Sequence, residues 1–92
     1  MVDRQEQMRG RMESIVGEVS FISNAVREHP NTTPSERVGE YARIMVSKYF
    51  SQRERCKIFN VDTTIYDEKL GTLLEPLASA GLIKLSDYQL SK

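Results

Sequence analysis

Four cations stand close together between residues 48 and 57: Lys48, Arg53, Arg55 and Lys57, with Glu54 as the one acid among them. On the outward face of a helix, such a group binds polyanions, phosphates above all, by displacing their counterions. Nucleophilic and metal chemistry has less to work with. The single cysteine, Cys56, leaves no intrachain disulfide, and a catalytic thiol there would need an imidazole beside it. The one histidine, His29, falls among turn formers. There is no glycine-rich phosphate loop, no Cys/His metal spacing, no Ser–His–Asp set and no paired acids in an evident pocket. The residues therefore predict a non-enzymatic binding domain with no cofactor and no metal.

Helices must position that basic cluster, and hydrophobic periodicity supplies them. From Arg4 to about Glu28 the residues Met8, Met12, Ile15, Val19, Ile22 and Val26 step by four, three, four, three and four. This is a heptad seam, widened by Val16 and Ala25. Gly10 and Gly17, on the opposite face, each lower helix propensity by about 1 kcal/mol, so the seam must pack on something. Two coverings are open: the rest of the domain, or the same helix of a second copy. The second would make the six seam residues a homodimer interface.

The stretch HPNTTP, from His29 to Pro34, is a break. The next helix is announced by Thr33 as cap, Pro34 at its first position and Glu36 at its third. It turns Val38, Tyr41 or Ala42, Met45, Val46 and Tyr49 inward and ends near Phe50. Ser51 and Glu54 form a second capping box, predicting a new short helix with Arg53, Arg55 and Lys57 outward and Cys56 and Phe59 inward. Asn60 to Thr64 is turn chemistry. A third helix, 64–80, has Leu70, Leu73, Leu74, Leu77 and Ala78 as its apolar face. Pro76 should kink it or end it early, and Gly81 should close it in the left-handed conformation. Beyond Gly81 the period shortens to two: Ile83 and Leu85 flank Lys84, Tyr88 and Leu90 flank Gln89, and Ser86-Asp87 lies between. That alternation predicts a two-stranded hairpin.

A chain of 92 residues fits one domain and buries a modest core, which dimerisation would reinforce. It is divided into an N-terminal helical element, 1–29, and a remainder, 30–92. Thirteen basic side chains balance thirteen acidic ones, which excludes a histone-like coat protein but not a local basic face. No apolar run approaches the roughly 20 residues of a membrane span, and the N-terminus is polar, unlike a secretory signal. The expected setting is cytoplasmic, intracellular and reducing, away from membranes.

Helix, short helix, turn, longer helix and terminal hairpin follow one another as in a winged helix-turn-helix. The segment LLEPLASAGLIK, from Leu73 to Lys84, resembles the third-helix ending of winged-helix regulators. The resemblance covers about residues 34–92 and is to that superfamily. It implies a mainly α fold with a small C-terminal β-hairpin, preceded by the long N-terminal helix. It implies that helix 64–80 reads the major groove of double-stranded DNA in a dimeric transcription regulator or DNA-organising factor. Base contacts would come from Thr63, Thr64, Tyr66, Lys69 and Thr72, phosphate contacts from Lys48, Arg53, Arg55 and Lys57, and Lys84 lies by the wing. Asp67 and Glu68 open that helix, where they suit its dipole but repel phosphate. The alternative reading is a winged-helix module that binds a protein partner within a larger assembly.

Overall fold

The backbone assignments rest on a computed structural model, which describes residues 3–29 and 35–85. Three helices account for most of them: α1 (Arg4–Glu28), α2 (Glu36–Ile58) and α3 (Thr64–Ser79). α1 lies along both of the others, whereas α2 and α3 meet each other mainly at one polar cluster. Among the described residues there is no strand.

The heptad seam of α1 is the spine of the core. Met8, Met12, Val19 and Ile22 are buried, and Ile15 and Val26 pack partly buried at the same seam. Their cover comes from this chain: Ala42, Met45, Val46, Tyr49 and Cys56 of α2, and Tyr66, Leu70, Leu74 and Leu77 of α3. Of the six residues expected at a homodimer interface, Met8, Met12, Val19 and Ile22 are thus buried within the chain, and Ile15 and Val26 are partly covered by it. Each large apolar side chain fully removed from water contributes roughly 1.5–3 kcal/mol, which outweighs the propensity lost at Gly10 and Gly17.

The fold corrects the winged-helix expectation at two places. First, no short helix begins at Ser51; α2 runs unbroken from Glu36 to Ile58. The repeat of buried positions explains this, because Tyr49, Gln52, Arg53 and Cys56 continue the inward face of Met45 and Val46 across the supposed junction, the two polar ones bonded to Met8 and Asp67. A capping pattern does not stop a helix whose inward face carries on. Its actual start is two residues later than expected, with the Ser35 hydroxyl accepting from the Val38 amide at 3.3 Å; Thr33 and Pro34 lie outside the described residues. Second, the predicted C-terminal β-hairpin gives way to a bundle of helices with no strand among the described residues. Ile83 is buried but makes no strand, and Leu85 is half exposed; Tyr88 and Leu90 lie outside the described residues. Two alternating residues on each side of Ser86-Asp87 are too few to distinguish a strand from a segment whose adjacent apolar residues, Leu82 and Ile83, pack on the end of the core.

Both closures of the C-terminal half follow helix-ending chemistry. After α3, Gly81 takes φ +78°, its amide bonding to Ala78 O and that of Leu82 to Leu77 O, each at 3.0 Å. After α2, Asn60 takes φ 58°, and Val61 N reaches Cys56 O at 2.8 Å. Val61 is thereby tucked into the core beside Cys56. Pro76 does not end α3, which continues to Ser79.

Candidate docking face on the first two helices

The geometry of α2 gives it two stripes. One is the buried face. The other is Arg37, Tyr41, Ile44, Lys48, Ser51, Arg55 and Ile58, spaced by four and three residues throughout and exposed at every position. Large apolar residues are interleaved with cations along it. Tyr41 is 43% exposed and Ile44 45%.

Two side-chain contacts fix how α1 runs beside this stripe. Gln52 Nε2 donates to Met8 Sδ at 2.8 Å, and the Tyr41 hydroxyl donates to Glu18 Oε2 at 2.8 Å, so the helices are antiparallel. Arg11, one turn after Met8, therefore comes level with Lys48, one turn before Gln52. Arg4, one turn before Met8, comes level with Arg55. The Arg4 guanidinium lies 5.1 Å above the Phe59 ring, and Gln5 Nε2 donates to Phe59 O at 3.1 Å, which pins this end of α1 to the end of α2. By the same register Phe21, 74% exposed, comes level with Val38. Arg11, Arg37, Lys48 and Arg55 have no carboxylate partner among the described residues. Glu18 is engaged by Tyr41, whose phenol that hydrogen bond raises above its ordinary pKa. A shallow depression lined by Glu40, Arg43, Ile44, Ser47, Lys48 and Ser51 runs along α2 and takes in three residues of the exposed stripe.

The residues expected at a DNA interface divide into two sets. Arg53 and Thr63 are turned inward: both are buried, and both meet Asp67. Arg53 Nε lies 3.0 and 3.1 Å from the two Asp67 oxygens, Thr63 Oγ1 donates to Oδ2 at 3.1 Å, and the Tyr49 hydroxyl donates to Oδ1. Burial, then the hydrogen bond and charge of Asp67, push the Tyr49 phenol far above its ordinary pKa. Asp67 is thus a partly buried acceptor that ties α3 to α2 and not a free surface acid. Tyr66 is also buried, its pKa raised by burial and by Glu13.

The second set stays on the surface but is not gathered into one place. Lys48 and Arg55 lie on the exposed stripe. Lys57 is exposed and pairs with Glu54 at 3.3 Å. Thr64 is exposed, and Asp62 accepts from its amide at 3.0 Å and from its hydroxyl at 2.6 Å; these bonds hold the Asp62 carboxyl below its usual pKa. Lys69 and Thr72 line a groove between α3 and α1 with Glu13, Gly17 and Ser20. Lys84 is exposed in the segment after α3.

The outward face of α3 presents Ile65, Glu68, Thr72 and Glu75, an acidic row instead of a basic one. Sequence reasoning missed Arg4, Arg11, Arg37, Tyr41 and Ile44 as a surface. The signal was present as a second seven-residue repeat along α2, in phase with exposure instead of burial. Compared with known proteins, the chain matches no family model, no curated protein and no solved structure. Among the described residues no group of His, Cys, Asp and Glu is placed to hold a metal ion, and no helix is long and apolar enough to cross a membrane.

Proposed function

We propose that this chain is a non-catalytic interaction module whose α1/α2 face docks an acidic, amphipathic helix of a protein partner. The observation that carries this reading is the exposed α2 stripe, where Tyr41 and Ile44 stand between Arg37 and Lys48. Apolar side chains left on a surface give a partner helix something to bury, and unpaired cations around them select acids on its rim. Polar binding to phosphate alone would leave Ile44 and Tyr41 without use. A buried thiol at Cys56, its pKa raised by burial, suits a reducing, intracellular setting.

The same cations favour a second reading, in which Arg4, Arg11, Lys48 and Arg55 hold the phosphates of duplex DNA without reading its sequence. Fluorescence anisotropy separates the two. The probes are a labelled helical peptide of Leu and Glu in heptads, labelled polyglutamate and a labelled random-sequence duplex. Docking of a helix predicts that the Leu/Glu peptide binds more tightly than polyglutamate and loses at least about tenfold affinity in the Ile44→Ser variant. Duplex binding that falls steeply with salt and ignores Ile44→Ser would carry the second reading instead. Binding of none of the three probes would overturn both.

A further inference from the structure

The chain carries its own candidate for the occupant of that face. We infer that the exposed stripe of α2 docks the outward row of α3 from a second copy of this chain, with the two helices parallel. This rests on the reading of the α1/α2 face as a helix-docking surface and names its partner.

Charge and spacing argue for it together. The outward row of α3 runs Ile65, Glu68, Thr72, Glu75, and the middle of the α2 stripe runs Ile44, Lys48, Ser51, Arg55. At about 1.5 Å per residue these cover about 15 Å and about 16 Å of helix. Laid side by side in the same direction, they match at every step. Ile65, 64% exposed, meets Ile44, 45% exposed. Glu68 meets Lys48, Thr72 meets Ser51 and Glu75 meets Arg55. None of the four charged residues has an opposite-charge partner within its own copy among the described residues. One opposite charge borders each surface: Lys69 shares the groove toward α1 with Thr72, and Glu40 shares the depression over α2 with Ile44, Lys48 and Ser51.

With thirteen basic and thirteen acidic side chains the chain has no net charge to drive two copies apart, so a basic stripe can meet an acidic row without overall repulsion. Unlike patches meet, so the contact is heterologous, and each pair keeps one free stripe and one free row. Association is therefore expected to continue past a pair. The interface is small and charged, so it should weaken as salt rises.

Sedimentation of the full chain and of two charge-reversed variants tests the inference. The first variant carries Lys48→Glu with Arg55→Glu, the second Glu68→Lys with Glu75→Lys; all four positions are exposed, and circular dichroism checks that both variants fold. The wild-type chain should show a mass that rises with concentration at low salt and falls back at high salt. Each variant alone should stay monomeric, with association weakened at least about tenfold, because its stripe and its row now carry the same sign. Mixed one to one, the variants complement each other at both contacts. The first is acidic on stripe and row alike, and the second is basic on both. The mixture should therefore recover association, with the two variants alternating. Ile65→Ser added to both variants should weaken that recovery, whereas unspecific attraction between an acidic and a basic protein would ignore it. A wild-type chain that stays monomeric at low salt, a mixture that fails to associate, or a recovery indifferent to Ile65→Ser overturns the inference. If the Leu/Glu peptide still binds in that event, the docking face stands and only its occupant is wrong; if the peptide fails too, the face itself is wrong.

Discussion

Asp67 is the residue on which the joint between α2 and α3 turns, because it accepts from Tyr49, Arg53 and Thr63 together. A carboxylate half hidden among apolar helices is stabilised only when its lone pairs are filled. Tyr49 reports on this joint through pH. Burial first, then Asp67, raises its pKa above the unfolded value of 10.0, so the folded chain keeps a proton that the unfolded chain releases. Stability from this source is complete below pH 10 and is lost as pH rises from there toward the folded pKa. Tyr49→Phe should cost about 1 kcal/mol at neutral pH and flatten the alkaline decline, measured as urea midpoints from neutral to strongly alkaline pH. A decline as steep in Tyr49→Phe as in the wild type would detach Tyr49 from it. Ser23 is the opposite case. Its hydroxyl is fully buried with no hydrogen-bond partner. Ser23→Ala should therefore raise stability, by roughly 1 kcal/mol, since an unsatisfied buried group costs its desolvation. A loss in the same denaturation experiment would mean that the hydroxyl is satisfied after all.

Helix ends and helix faces decide what one substitution does at different glycines. Gly10 lies mid-helix on the exposed side of α1 with nothing within 4 Å of an added Cβ. Gly81 has equally open space but φ +78°. Gly10→Ala should thus stabilise by about 1 kcal/mol and Gly81→Ala destabilise by about 1–2 kcal/mol, opposite signs from one chemical change. Thermal unfolding followed by circular dichroism checks both, and equal shifts would remove the backbone argument. The end of α3 was legible in the residues for this reason: Gly81 after an apolar run leaves little choice of conformation, whereas both ends of α2 fell elsewhere than its capping patterns placed them. The face of α1 was legible too, as six apolar residues in heptad spacing, although whether they met their own domain or a copy depended on tertiary packing. Ser51 misled because a capping box is local and the continuing face of Tyr49, Arg53 and Cys56 is not. The docking face was hidden for a further reason. Arg11 and Lys48 are 37 positions apart, and only the antiparallel register of α1 against α2 brings them to the same level.

On the scale of the whole molecule, α1 is the element without which the others have little to hold. α2 and α3 each bury their apolar face against it and share with each other chiefly the Asp67 cluster. Core and docking face are therefore separable by mutation, although both run along α1 and α2. Val19 is fully buried at the centre of the seam, whereas Ile44 is 45% exposed on the opposite stripe of α2. Val19→Asp places an unpaired charge where three helices meet and should abolish the cooperative thermal transition. Ile44→Ser should leave stability within about 0.5 kcal/mol of the wild type, as surface changes do, while weakening helix docking. Far-ultraviolet circular dichroism reads both on the same instrument. A cooperative transition surviving in Val19→Asp would mean that α1 is not the spine. A large loss of stability in Ile44→Ser would mean that Ile44 serves the fold, and a drop in peptide affinity could then no longer be assigned to the surface.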